Sequence, residues 1–160
     1  MYSSISRRAA RTSARPTSEI PTVCIVDPEA HDYEGWDSLA KAGGLQFKIV
    51  ASAEEALRFS RTTAVDLWVV NTNLPGLSGC ELCSMLRSRS PVSPVYLVAD
   101  QYSVATEQKA WAARATMFGV KPAHTAWLHD WVQSHSPHSP SSQRSDRATA
   151  PVAVVPEFTR

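Results

Sequence analysis

The sequence predicts an α/β fold in which five parallel strands form one sheet with helices on both faces. Short apolar runs alternate with longer helical patterns five times along the chain, which is typical of successive strand and helix units. The third run, at residues 67–71, is apolar up to its last residue without alternation, as expected for a parallel strand covered on both faces. Turn residues follow at 74–79 and redirect the chain into a helix.

Each strand is a short run, and most are rich in β-branched residues. The predicted strands are residues 21–26, 45–50, 67–71, 95–99 and 117–120. The first helix begins at Asp27-Pro28-Glu29 and ends at a Gly pair, and Ser52 caps the second with Glu55 as its reciprocal partner. The predicted helices are residues 30–42, 53–61, 79–88, 102–115 and 125–134.

The ends of the chain differ from its middle in composition. Residues 1–19 form a basic, Arg-rich arm and residues 134–160 a Ser- and Pro-rich tail, so both are predicted to be disordered around one domain at 20–133. Residues 19–133 hold nine basic and thirteen acidic side chains. A mildly acidic domain is not expected to bind nucleic acid, although the arm could add weak affinity for phosphates.

Other features exclude further classes of protein. No apolar run approaches the roughly 20 residues of a membrane span, and no histidine spacing is typical of a metal site. Three cysteines are too few for a disulfide framework, which favours a cytoplasmic protein. Cys80 and Cys83 have the spacing of a redox or metal half-site but lack a second pair, so we predict a buried structural role.

Two segments carry a resemblance to a known family. Leu74-Pro75-Gly76 follows the third strand, and Lys121-Pro122 follows the fifth. With this arrangement, residues 21–133 resemble the receiver domain of response regulators, the CheY-like phosphoacceptor module of two-component signalling. The resemblance implies the flavodoxin-like, doubly wound form of the α/β fold.

The resemblance also implies a site at the carboxyl ends of the strands. In that family two adjacent acids end the first strand and hold Mg²⁺, an Asp on the third takes the phosphoryl group, and a Ser or Thr and a Lys end the fourth and fifth. Matched by motif, these five positions are Asp27, Pro28, Asn71, Ala99 and Lys121. Phe118 stands at the switch aromatic position, three residues before the lysine.

Three of these positions lack the group that phosphotransfer needs. An amide at Asn71 has no anionic oxygen to form an acyl phosphate, Pro28 offers no metal ligand, and Ala99 has no hydroxyl. We therefore expect no enzymatic activity, no cofactor and no Mg²⁺, because Asp27 is the only retained acidic position. Lys121 is predicted to contact Asp27 and the side-chain oxygen of Asn71; alternatively, Asp27 only caps the first helix and Lys121 points to water.

The working surface is then expected at helix four, strand five and helix five, which receivers use to dimerise or to bind a partner. On helix five, Leu128 and Val132 are four residues apart and fit the stripe that faces the core. Trp127 and Trp131 each precede one of these residues, so they are expected at the edge of that stripe or outside it. Exposed paired Trp is typical of a binding hot spot, so both are candidate interface residues; alternatively, the pair completes the core and leaves Leu128 partly exposed. Trp111 on helix four is predicted to fill the core.

The sequence thus predicts a stand-alone pseudo-receiver that acts in a phosphorelay or two-component pathway by phosphorylation-independent contact with a protein. The partner is a histidine kinase, another receiver or signalling protein, or a second copy of the chain. Three alternatives remain open. The domain could compete for a histidine kinase, bind a small anionic ligand beside Lys121, or assist nucleic-acid binding through its Arg-rich arm.

Overall fold

The computed structural model describes residues 20–135 and has five parallel strands in one sheet. The strands are β1 (Thr22–Val26), β2 (Gln46–Val50), β3 (Leu67–Asn71), β4 (Val95–Ala99) and β5 (Met117–Val120). They lie in the order β2-β1-β3-β4-β5, and every neighbouring pair is parallel. The predicted doubly wound α/β fold is therefore confirmed. The predicted arm at 1–19 lies outside the described residues, as does the predicted tail at 134–160 except for residues 134–135, which belong to the fifth helix and not to a tail.

Helices cover both faces of the sheet, because alternate side chains of the central strands point to opposite layers. The helices are α1 (Trp36–Ala42), α2 (Ala53–Thr62), α3 (Gly79–Arg89), α4 (Val104–Ala112) and α5 (Thr125–His135). One layer packs α1 and α5 against Val23, Ile25, Leu67 and Val69. The other packs α2, α3 and α4 against Cys24, Val26, Trp68 and Val70. Within residues 20–135 every helix is too short or too polar to cross a lipid bilayer.

The sequence predicted one continuous first helix at residues 30–42, but in the structure this segment is broken into two pieces. A 3₁₀ turn at Ala30–Tyr33 comes first, and α1 begins only at Trp36 after Gly35, which has a φ of 91°. This left-handed conformation suits glycine and interrupts the α-helical hydrogen-bond ladder. The break allows Tyr33 and Trp36 to be buried together, with ring centroids 5.5 Å apart at 84°. The 3₁₀ turn thereby lies over the carboxyl end of β1.

The turn after β3 is fixed by a capping box that the sequence analysis did not identify. The Ser78 hydroxyl accepts a hydrogen bond from the Glu81 backbone, and the Glu81 carboxylate accepts one from the Ser78 backbone. Gly79 then packs so tightly that a Cβ there would collide with the backbone carbonyl of Asn71. This close approach holds the first turn of α3 against the end of β3.

The fourth helix is shorter than predicted. Its N-cap is Ser103, whose hydroxyl accepts from the Thr106 backbone, and it ends before Arg114, which has a φ of 61°. Trp111 is 49% exposed on this helix, so its predicted core position is wrong. Small residues of α4, including Ala110, face the sheet instead.

Candidate functional site

The predicted site residues meet at the carboxyl edge of the sheet. Asp27 directly follows β1, Asn71 ends β3, and Ala99 ends β4. Lys121 directly follows β5, and its peptide bond to Pro122 is cis. Parallel strands bring these carboxyl ends side by side, so residues far apart in sequence form one pocket.

Lys121 lies at the centre of the pocket and is paired with three carboxylates. Its Nζ is 2.6 Å from Asp32 Oδ2, 2.9 Å from Asp27 Oδ2 and 3.0 Å from Asp100 Oδ1. The side chain is only 10% exposed. Burial by itself would lower the pKa of Lys121, but the contacts with Asp32, Asp27 and Asp100 outweigh it and raise the pKa above its ordinary value. The lysine is therefore a fixed cation rather than a side chain in water.

The Asn71 amide is held on both of its ends. Its Nδ2 donates to Asp27 Oδ2 and to Asp100 Oδ1, each at 3.2 Å, and its Oδ1 accepts from the Asn73 backbone at 2.8 Å. The predicted contact between Lys121 and Asp27 is present, whereas the predicted contact with the Asn71 oxygen is wrong. That oxygen instead accepts the hydrogen bond from the Asn73 backbone N–H, two residues further along in the turn after β3.

Asp27 is buried and fully hydrogen-bonded. One oxygen accepts from the Glu29 backbone at 2.9 Å, in a turn two residues long. The predicted role of Asp27 as the cap of the first helix is wrong, because no side chain caps the 3₁₀ turn and Gly35 is the N-cap of α1. The other oxygen of Asp27 accepts from the Tyr33 hydroxyl at 2.9 Å as well as from Asn71, and it pairs with Lys121. Burial and the neighbouring Asp27 carboxylate raise the pKa of Tyr33, so its hydroxyl stays a donor.

Three pocket residues were missed by the sequence analysis: Asp32, Tyr33 and Asp100. Asp100 directly follows β4, and that position alone could have identified it as a pocket residue. The pKa of Asp100 is lowered, because its contacts with Lys121 and Asn71 outweigh the opposing effect of desolvation. No sequence feature identifies Asp32 and Tyr33 as pocket residues, because only the 3₁₀ turn and the break after it bring them to Lys121 and Asp27.

The remaining predicted positions carry no side chain that could bind a metal or contact a phosphoryl group. Pro28 is exposed beside Asp27, and Ala99 is buried without a hydroxyl. Phe118 is half-buried and packs against the core layer of α2, α3 and α4.

The donor set does not fit a magnesium ion. With Lys121 in its place, no group of three His, Cys, Asp or Glu side chains among residues 20–135 could hold a metal ion. The carboxylates of the pocket converge instead on the ammonium of Lys121. Mg²⁺ requires several hard oxygens in octahedral positions, and here the oxygens face a cation that the chain itself supplies.

The prediction that both cysteines are buried holds for Cys83 on α3 but not for Cys80. Cys83 is buried, and burial raises the pKa of its thiol to about 11. Cys80 is half-buried, and desolvation raises its pKa as well. Neither thiol has the lowered pKa of a redox or metal-binding cysteine.

The predicted Trp pair on α5 does not form an exposed interface. Trp131 is only 4% exposed and lies in the core layer of α1 and α5, so the prediction that it is a surface residue is wrong. Positions three and four apart share a helix face, and Trp131 rather than Val132 joins the buried Leu128. Trp127 is half-buried, and the missing side chain of Gly119 leaves room for its ring.

Exposed aromatic side chains lie instead at the start and along the surface of α4. Tyr102 and Trp111 are 60% and 49% exposed, and Val104 is 58% exposed between them in sequence. The Glu107 carboxylate accepts from the Tyr102 hydroxyl at 2.8 Å and from the Trp111 indole at 3.3 Å. We call Tyr102, Val104, Glu107 and Trp111 the α4 patch. The polar atoms of its two rings are both hydrogen-bonded to Glu107.

Comparison with protein families and curated relatives gives one consistent result. The model of the response regulator receiver domain matches residues 23–133. The chain is 30% identical over 134 residues to response regulator protein FleR of Pseudomonas aeruginosa, covering 84% of this chain and 28% of that protein. It is 30% identical over 97 residues to transcriptional regulatory protein YvrH of Bacillus subtilis, covering 61% of this chain and 40% of that protein. The chain therefore spans less than half the length of either relative.

Solved structures share the fold. A CheY-like receiver domain protein from Methanospirillum hungatei superposes with a TM-score of 0.66 at 20% identity, covering 72% of this chain and 93% of that one. Chemotaxis response regulator CheY4 of Vibrio cholerae superposes with a TM-score of 0.63 at 22% identity, covering 73% of this chain and 99% of that one. At these identities the likeness establishes the flavodoxin-like receiver fold.

Proposed function

The chain belongs to the response regulator receiver family of two-component signalling, and from this premise we propose that it is a pseudo-receiver. Such a domain keeps the receiver fold, takes no phosphoryl group and acts by contact with another protein. We propose a cytoplasmic setting and a partner from the same signalling system, either a histidine kinase, another receiver or a second copy of this chain. Competition for a histidine kinase would be one form of this activity.

The observation that carries the proposal is the environment of Asn71. A carboxamide has no anionic oxygen with which to attack phosphorus. Both ends of this amide are also engaged, the nitrogen with Asp27 and Asp100 and the oxygen with the Asn73 backbone. The amide therefore serves as a structural link between strand ends. Ala99 cannot respond to a phosphoryl group, because it has no hydroxyl to donate.

The same pocket gives little support to the alternative of a small anionic ligand. Lys121 is already paired with three carboxylates, so the pocket carries more negative than positive charge. An incoming anion would be repelled by those carboxylates and would have to displace one of them from the ammonium.

We propose that the α4 patch is part of the partner-binding surface, together with β5 and α5. Exposed Trp and Tyr rings are enriched among residues that dominate binding energy. The bonds from Glu107 reduce the rotamer freedom that the Tyr102 and Trp111 rings would lose on binding. Trp127 remains a candidate at the α5 side of this surface, whereas Trp131 is removed from it by burial.

The proposal is tested by phosphorylation and association measurements on the same samples. The native chain and Asn71→Asp are incubated with acetyl phosphate and Mg²⁺, and their intact masses are measured. Sedimentation velocity then reports self-association, and surface plasmon resonance reports binding to a histidine kinase of the two-component class. We expect the native chain to gain no phosphoryl mass and to show contact with itself or the kinase that acetyl phosphate does not change. Phosphorylation of the native chain, or contact that requires acetyl phosphate, contradicts the proposal.

A further inference from the structure

We propose that the ammonium of Lys121 takes the place of a bound divalent cation, so that the chain supplies the cation of this pocket itself and blocks a metal from entering it. The inference deepens the proposed function, on which it rests, because it states what replaced the chemistry of the family at this site. It also replaces the reason that the sequence offered for a pocket without Mg²⁺. A shortage of carboxylates does not explain why the pocket would lack Mg²⁺, since three carboxylates surround Lys121.

The first argument is geometric. A metal ion in such a pocket joins oxygen ligands from separate segments, and Lys121 Nζ does this here. Its three oxygen partners come from the end of β1 (Asp27), from the 3₁₀ turn (Asp32) and from the end of β4 (Asp100), all within 3.0 Å. The three contacts are ion pairs by distance rather than aligned hydrogen bonds, so the positive charge of the ammonium is what it shares with a metal ion.

The second argument is one of charge relocation. The position beside Asp27 is occupied by Pro28 and the end of β3 by Asn71, so two carboxylates that the motif would place there are missing. Asp32 and Asp100 supply two others, from a turn and from the residue after β4. The pocket thus holds three carboxylates again, but they are arranged around the end of a long side chain.

The third argument is that the Lys121 side chain fills the space between the carboxylates. It is 10% exposed, and Asp27 is fully buried beneath it. A divalent cation could reach Asp27 only by displacing the ammonium, which would then lose its pairing and be repelled by the ion. Lys121 and a metal therefore compete for the same oxygens.

The proposal makes a specific prediction for Lys121→Met. This substitution removes the cation, keeps an unbranched apolar stem and leaves three carboxylates without a counter-charge. The variant should bind Mn²⁺ at least about tenfold more tightly than the native chain, since tenfold corresponds to only about 1.4 kcal/mol. Asp32 would be one of the three oxygen ligands of the metal, so Lys121→Met combined with Asp32→Asn should lose most of this gain.

The experiment is an Mn²⁺ titration of the full chain, read by paramagnetic broadening of backbone amide signals. The native chain should show no saturable broadening at Asp27, Asp32 and Asp100, while Lys121→Met should show it. Lys109→Met is the matched control, because Lys109 is exposed on α4 and makes no ion pair with another described residue. Lys121→Arg retains a cation and should stay free of metal. Thermal unfolding with and without Mn²⁺ provides a second reading if Lys121→Met is unstable.

Two results would overturn the proposal. One is saturable Mn²⁺ broadening of the native pocket. The other is a Lys121→Met chain that neither binds Mn²⁺ nor is stabilised by it. Neither result bears on phosphoryl transfer, since Asn71 still lacks a nucleophilic oxygen; the pseudo-receiver proposal fails separately, by a phosphoryl mass on the native chain.

Discussion

Lys121→Met should also weaken the fold itself, by an amount that the pocket allows to be worked out. Of the three carboxylates that lose their cation, Asp32 and Asp100 are 26% and 47% exposed and can be solvated, whereas Asp27 is fully buried. A buried charge left without its partner costs about 3–5 kcal/mol, and an exposed pair contributes about 0–1 kcal/mol. We expect a loss of about 3 kcal/mol, at the low end, because Asp27 keeps its other hydrogen bonds.

The assay is urea unfolding of the full chain followed by circular dichroism, with EDTA present. Lys41→Met is the control, since the Lys41 pair with Asp37 is exposed and its loss should cost under about 0.5 kcal/mol. Adding Asp27→Asn to Lys121→Met removes the stranded charge and should restore about 1–3 kcal/mol. A loss below about 1 kcal/mol for Lys121→Met, or no recovery in the double variant, would refute the view that the ammonium balances a buried carboxylate.

Three further outcomes are expected. Trp111→Ala should leave the free energy of unfolding within about 0.5 kcal/mol of the native value but weaken partner contact at least about fivefold by sedimentation or surface plasmon resonance; unchanged contact would remove the α4 patch from the proposed interface. Gly119→Ala should cost about 1–3 kcal/mol in urea unfolding, because the new Cβ would overlap the Trp127 ring, and an unchanged midpoint would contradict that packing. Because the pKa of Asp100 is lowered in the folded chain, its carboxylate adds to the free energy of unfolding above the ordinary Asp pKa of about 3.9. This contribution is lost as the pH falls through the pKa of the folded state. Asp100→Asn should therefore flatten the dependence of the free energy of unfolding on pH in this range.

The strands were the most predictable part of the chain. Residues 67–71, 95–99 and 117–120 were predicted with the bounds that the structure has. A parallel strand such as β3 or β4 is a short apolar run followed by a polar residue, and the half-buried edge strand β5 shows the same pattern. Asp27, Asn71 and Lys121 could be placed together for the same reason, since parallel strands align their carboxyl ends.

The errors lie where one sequence pattern permits several geometries. Gly35 could be read as a tolerated glycine within a helix, and only the left-handed backbone there separates the 3₁₀ turn from α1. Asp32 reaches the pocket through that break, so no spacing in the sequence indicated it. On α5, a shift of the buried face by one position decides that Trp131 rather than Val132 is buried. Trp111 was predicted to fill the core, whereas small residues of α4 take that face.

The edge-to-face pair of Tyr33 and Trp36 gives this chain a spectroscopic reporter of its pocket. The Tyr33 hydroxyl is bonded to Asp27, and the Trp36 indole donates to the Ala123 carbonyl, two residues beyond Lys121. Incorporation of 5-fluorotryptophan would give one ¹⁹F resonance for each of the five tryptophans. The Trp36 signal would report events at the carboxyl edge of the sheet, and the Trp111 signal would report contacts at the α4 patch. A single spectrum of the full chain would thus separate what happens in the pocket from what happens on the surface.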